Sequence, residues 1–291
     1  MSKQLKIFRN SLYTIIDGPL TWSESENQAQ ALGGHLVSLN SEEESDFVLE
    51  NFSNLDDLVN SQGNYHTFLG IYDDADGNFY WNDGSEVTWT NWAPGHPYNE
   101  GDPLLKENWQ VNNISIELHN QNGIWLNGTP SPSDSIAEIP LINKDNSSYF
   151  IVEANSWTEA NSLAESVGAN LVSIDNQEEN QFIFENFKDI ILNNYHPDAW
   201  IGITDKSSEG NWLDTSGNEI NYHNWKINEP SNSFGDEHYG LMSFHQEGSW
   251  NDGPIILSSS NKIVGIAEIK DESNAELDEI NATYISTMDS V

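Results

Sequence analysis

Between Asn228 and Asp252 the chain reads NEPSNSFGDEHYGLMSFHQEGSWND, with Glu229, Asp236, Glu237, Asp252, Asn232 and Asn251 in it and no Lys or Arg. Carboxylate and amide oxygens at this density suit a hard divalent cation, because calcium takes six to eight oxygens at about 2.3–2.6 Å. A solvated acidic loop is the alternative. With 47 Asp and Glu in 291 residues, acidic clusters also arise by chance. Two carboxylates could also serve a glycosidase as acid and base. No HExxH, phosphate loop or nucleophile elbow accompanies them. The DDADGN run from Asp73 resembles half an EF-hand loop, but its twelfth position is Gly84 rather than a closing Glu.

The charge balance narrows the partners. Ten Lys and Arg against 47 acidic residues leave a net charge of −37, which repels phosphate backbones and anionic membranes. The same surface attracts divalent cations and tolerates salt. There is no cysteine, so disulfides, thiolate metal sites and cysteine nucleophiles are excluded. A bacterial secreted origin is compatible with that. The first residues, MSKQLKIFRN, lack the apolar stretch of a signal peptide, and no apolar run is long enough to span a bilayer.

The elements that must position the acidic stretch occur twice. TWSESENQAQALGGHLVSLNSEEESDFVLENF from Thr21 is answered by SWTEANSLAESVGANLVSIDNQEENQFIFENF from Ser156. FLGIYD at Phe68 is answered by WIGITD at Trp200, Asn91-Trp92 by Asn224-Trp225, and Ala137-Glu138-Ile139 by Ala267-Glu268-Ile269. Ordered landmarks over so long a stretch point to duplication. Two domains are expected, 8–141 and 148–270, joined by a polar linker around Asn143 to Ser148. Residues 271–291 form an acidic tail, read as disordered, as a short helix or as an uncleaved secretion signal.

Within each half, an apolar strand leads to a helix opened by a capping box, Thr21 with Glu24 and Ser156 with Glu159. Glycines end that helix and return the chain to a strand. A second helix is expected from Asn40 or Asp175, with Glu43 or Glu178 three residues on. Phe47, Val48 and Phe52, or Phe182, Ile183 and Phe187, recur at helical spacing as core. Short strands and Gly/Asn/Pro-rich loops follow, so the class is α+β.

The ordered set SWTEA, LAESVGANLVSI, WIGITD, EGNWLDTSG, YHNWKINEPSN, DEHYGLM, GSWND and AEI resembles the C-type lectin-like domain over about Tyr149 to Ile269. By internal similarity the first half resembles it over about Tyr13 to Ile139. The resemblance implies two tandem domains, each with two helices, short antiparallel sheets and a long loop region. It also implies two disulfides per domain, which this chain lacks. Ala164 and Ala267 stand at one pair, Ala29 and Ala137 at its counterpart, and Tyr239 and Ile255 at the other pair of the second half. Each missing cross-link forgoes about 3 kcal/mol.

In sugar-binding members, a Glu-Pro-Asn loop, a Glu eight residues on and Trp-Asn-Asp together hold one calcium. Carried over, the metal ligands are Glu229, Glu237, Asn251 and Asp252, and Ser231 and Asn232 complete the ligand-binding set. Pro230 matches the family's cis-proline, and Trp250 is read as core. Ser231 departs from the usual Asn, offering one donor on a shorter side chain. His238 stands where an auxiliary-calcium carboxylate is often found, so no second calcium is expected there.

The first half keeps little of this. His96-Pro97-Tyr98 replaces the loop, Leu126-Asn127 replaces Asn251-Asp252, and Glu107 alone is retained, so no calcium is expected. Trp81-Asn82-Asp83-Gly84 belongs to an earlier turn. The resemblance implies a calcium-dependent lectin or adhesin, extracellular or at the cell surface, that binds glycans through the second domain, with a mannose-type preference. The alternative is a calcium-independent module that binds protein. Catalysis is not expected, because calcium would hold the carboxylates ionised.

Overall fold

The computed structural model describes residues 4–52, 65–73, 78–96, 114–118, 123–127, 133–257 and 262–270. The chain divides into two compact units, Met1–Pro140 and Leu141–Val291.

In the second unit, α3 (Trp157–Glu165) starts where Ser156 accepts the Glu159 amide and ends before Gly168, whose φ of 76° suits a residue without Cβ. Helix α4 (Gln177–Asn194) follows. Ser147–Ala154 pairs antiparallel along its whole length with Ile263–Lys270, bringing the ends of the unit together. Ile263–Lys270 meets Asp198–Thr204 through the parallel bridge Trp200 to Gly265. Asp198–Thr204 then pairs with Tyr239–Ser243, and that strand with Ser249–Gly253, both antiparallel. The acidic stretch therefore ends inside a sheet.

The first unit repeats the plan with α1 (Trp22–Ala31), α2 (Glu42–Phe52) and Ser11–Leu20 paired with Ser133–Pro140. The Thr21–Glu24 capping box is complete. In each unit the first tryptophan of the opening helix donates its indole N–H to a buried carbonyl at 2.8 Å, Trp22 to Leu69 and Trp157 to Ile201.

The second helices begin one residue later than the sequence suggested. Ser41 and Asn176, not Asn40 and Asp175, accept the amides of Glu44 and Glu179. Those glutamates reach back to the amides of Asn40 and Asp175, each at 2.7 Å. Asn40 and Ser41 are both capping residues, as are Asp175 and Asn176, so side-chain type alone could not choose. The shift turns Glu44 and Glu179 inward, where they accept the hydroxyls of Tyr13 at 2.7 Å and Tyr149 at 2.8 Å.

The polar stretch read as a linker is instead a hairpin. Ile142–Lys144 pairs with Ser147–Ala154 around Asp145, which has a φ of 53°. Asn, Asp and Ser favour tight turns and linkers alike. The alanines at the cysteine-replacing positions, 29, 137, 164 and 267, are all fully buried. Tyr239 packs on Trp157 with ring centroids 5.1 Å apart, and the Ile255 carbonyl accepts the Trp157 amide at 3.1 Å. Both replacement positions of that second pair thus close on one helix start.

Candidate functional site

A loop from Trp225 to His238 lies along the strand Ser249–Gly253 and is tied to it at both ends. Trp225 and Trp250 form a parallel bridge, the Lys226 amide donates to the Trp250 carbonyl at 3.0 Å, and the His238 amide donates to Gly253 at 3.0 Å. Between these anchors the chain turns at Asn228 (φ 70°) and Asn232 (φ 43°), and the Glu229–Pro230 bond is cis. A 3-10 turn covers Ser233–Gly235.

The anchors bring most of the expected side chains into one group. Asp252, 1% exposed, sits on the strand beneath the loop and accepts the Ser231 amide at 3.0 Å and the Asn232 amide at 2.7 Å, one on each oxygen. Glu229 is 15% exposed, and its Oε2 is buried with no hydrogen-bond partner among the described residues. Desolvation raises its pKa and the adjacent Asp252 carboxylate raises it further, against the opposing Ser231 hydroxyl and Lys226 ammonium. Glu237 accepts the Ser233 amide at 2.5 Å and the Ser231 hydroxyl at 3.3 Å. Ser231 thus links the Asp252 end of the group to Glu237, and Asn232 accepts the Glu237 amide at 3.2 Å.

Asn251 is half-buried on the same strand, opposite Leu241. Asp236 is exposed and stands outside the group. Trp250 is fully buried, donates to the Asn180 side chain at 2.8 Å and meets Trp225 edge-on, so it is core rather than a stacking platform.

Sequence reasoning missed the neighbours at Asp205 and Glu209. Asp205 Oδ1 lies 3.0 Å and Glu209 Oε2 3.7 Å from His238 Nδ1, and Glu209 also accepts the Asn232 side-chain amide. Their signal was an acidic pair four residues apart, directly after WIGIT and free of basic neighbours except Lys206.

The first unit keeps the frame. Trp92 and Trp125 form the same parallel bridge, with Ala93 donating to Trp125 at 3.0 Å. Leu126 and Asn127 follow, where the second unit has Asn251 and Asp252. Pro97, Tyr98 and Glu107 lie outside the described residues.

Comparison with known proteins agrees with this double plan. The model of the lectin C-type domain matches twice, over residues 18–129 and 153–256. The chain is 24% identical over 253 residues to C-type mannose receptor 2 of Rattus norvegicus, covering 77% of the chain but 16% of that receptor. It is 36% identical over 111 residues to a lectin of Pleurodeles waltl, covering 37% of the chain and 63% of that protein. Among solved structures, the C-type lectin CEL-I from Cucumaria echinata aligns at 22% identity and a TM-score of 0.39, covering 44% of the chain and 93% of CEL-I.

Proposed function

Because the chain belongs to the C-type lectin domain family, with two copies of the domain in tandem, we propose that it binds carbohydrate through a calcium ion held in the second unit. The observation that carries this reading is the unpartnered, buried Oε2 of Glu229 beside the Asp252 carboxylate. Two carboxylates pressed together out of water are costly without a cation. The donor set fits calcium, since Glu229, Glu237, Asn251, Asp252 and the Ser231 hydroxyl offer hard oxygen only. When bound, calcium would neutralise the group and offer open positions to vicinal sugar hydroxyls.

The chain's own residues do the orienting. The Ser231 and Asn232 amides fix both Asp252 oxygens, and the Ser233 amide fixes Glu237, so the acceptors are set by backbone rather than by free rotamers. The carboxylates can accept hydrogen bonds from sugar hydroxyls, while Ser231 offers a single donor. A mannose-type glycan outside the cell or at its surface is the partner this reading favours. The first unit, with Leu126 and Asn127 in place of Asn251 and Asp252, is structural or contacts protein.

Thermal and chemical stability measured against calcium, with magnesium as control, tests the proposal. At a hundredfold excess over the dissociation constant, calcium should add about 2.7 kcal/mol. Glu229→Gln/Asp252→Asn should abolish that gain and leave the general screening of the −37 charge. Equal responses to both ions in both proteins would sink the calcium site. They would favour the second reading, a calcium-independent protein-binding module, which the short side chain of Ser231 keeps in view.

A further inference from the structure

Lys226 is the only Lys or Arg between Lys206 and Lys262, and its Nζ lies 3.7 Å from Glu229 Oε1. On the premise that the second unit holds calcium, we propose that Lys226 is a tethered counter-cation. It competes with the ion for Glu229 and so sets how tightly calcium is held.

The backbone fixes the root of that side chain. The Lys226 amide donates to the Trp250 carbonyl and the Lys226 carbonyl accepts the Glu229 amide, each at 3.0 Å. The second bond closes a four-residue turn with Asn228 (φ 70°) in its third place, so lysine and glutamate stand at the two ends of one turn. The lysine side chain is 32% exposed and the glutamate 15%, so water screens the pair only in part. Calcium bonded to Glu229 Oε1 at about 2.3–2.6 Å would lie within about 6 Å of the ammonium. That is inside a Debye length, where like charges repel. The ammonium then swings out to solvent or weakens the ion's hold, and in both cases the two cations oppose each other at Glu229.

The turn itself does not need a lysine. The first unit closes the same turn after its tryptophan bridge, the His96 amide donating to the Ala93 carbonyl at 2.9 Å, with Gly95 (φ 90°) in the third place. Ala93 stands there where Lys226 stands in the second unit, and His96 where Glu229 does. The basic and the acidic residue are thus missing together from a turn of the same form, which ties the lysine to the glutamate rather than to the backbone. Burial and the Asp252 carboxyl push the Glu229 pKa up, and the ammonium opposes them, so Lys226 also favours the charged form that calcium needs.

Calcium titration calorimetry and denaturant unfolding in chelator test this on the full chain, in wild type, Lys226→Met, Lys226→Arg and Lys188→Met. Lys226→Met should bind calcium about two- to fivefold more tightly, the range expected of a partly exposed ion pair. In chelator it should unfold at a lower denaturant concentration than wild type, and that deficit should vanish at saturating calcium. A side chain that acts only on the ion-free site changes affinity and ion-free stability by the same amount. Its circular dichroism should match wild type, as the alanine at the first unit's turn predicts. Lys226→Arg keeps the charge and should stay near wild type. Lys188→Met removes a charge from α4 instead and should leave calcium affinity unchanged, which separates a local competitor from the general field of the −37 charge. Affinity in Lys226→Met equal to or weaker than wild type, or a gain matched by Lys188→Met, would overturn the competition and leave the calcium site standing. No calcium binding by wild type would instead sink the calcium reading, and the competition with it.

Discussion

The two units share a frame and differ in what they hang on it. Both contain a parallel tryptophan bridge, Trp92–Trp125 and Trp225–Trp250. Both bury a Tyr–Glu pair behind the second helix, Tyr13 with Glu44 and Tyr149 with Glu179. Only the second follows its bridge with Asn251 and Asp252; the first has Leu126 and Asn127. The frame is maintained by buried aromatics and backbone pairing, and the oxygen donors are carried on top of it. A unit can therefore change the residues that follow its bridge and keep the fold.

The largest test of that comparison is to remove the frame itself. Trp125 and Trp250 are both fully buried. Trp125→Ala and Trp250→Ala should each cost about 3–5 kcal/mol, read from denaturant unfolding, and by similar amounts if the frames are equivalent. Strongly unequal losses would break the equivalence. Next in size is loss of the calcium gain in Glu229→Gln/Asp252→Asn, which should leave the first unit unaffected.

A finer contrast separates the two indoles. Trp250 donates to Asn180, whereas the Trp125 indole N–H finds no partner among the described residues. Trp250→Phe leaves the Asn180 oxygen buried without its donor. It should therefore cost about 1–3 kcal/mol more than Trp125→Phe. Equal costs would show that the Asn180 bond adds nothing.

The smallest effect concerns two corresponding glutamates. Glu268 is buried, which raises its pKa, against lowering by the Ser147 hydroxyl and Lys270 ammonium; Glu179 and Asp175 raise it further. At the first unit's position for Lys270 stands Pro140, and Glu138 accepts Ser11, Tyr13 and Ser38 instead. A carboxyl whose folded pKa lies above its unfolded value stabilises fully below the unfolded pKa, and that contribution is lost as pH rises through the folded pKa. Lys270→Met should therefore leave stability unchanged in acid and lower it slightly near neutrality, while Glu268→Gln should flatten the pH dependence. Parallel pH profiles for wild type and Lys270→Met would exclude the lysine as the counter-charge.

The duplication, the helix positions and the apolar core were legible because each depends on local pattern. Thr21 with Glu24 and the Phe182, Ile183 and Phe187 spacing are signals within one turn or two. The convergence of Glu229, Ser231, Glu237 and Asp252 was legible through family motif order rather than through chemistry, since nothing local shows that Asp252 faces Ser231. The cap positions were off by one because adjacent residues were both good caps. The hairpin at Asp145 passed for a linker because turns and linkers share a composition. Asp205 and Glu209 stayed hidden because only the pairing of Asp198–Thr204 with Tyr239–Ser243 carries them to His238.

The anchoring of the long loop has an evolutionary reading. Its two ties to the last hairpin, Lys226 to Trp250 and His238 to Gly253, run from main-chain amide to main-chain carbonyl. Such bonds are blind to side-chain identity, apart from barring proline at the donor. Among the described side chains of the eleven residues between them none is fully buried, so these can be rewritten without touching a core position, provided their number and their turns at 228 and 232 are kept. The loop behaves as an exchangeable cartridge, so selection can retune what the second unit recognises at little cost in foldability.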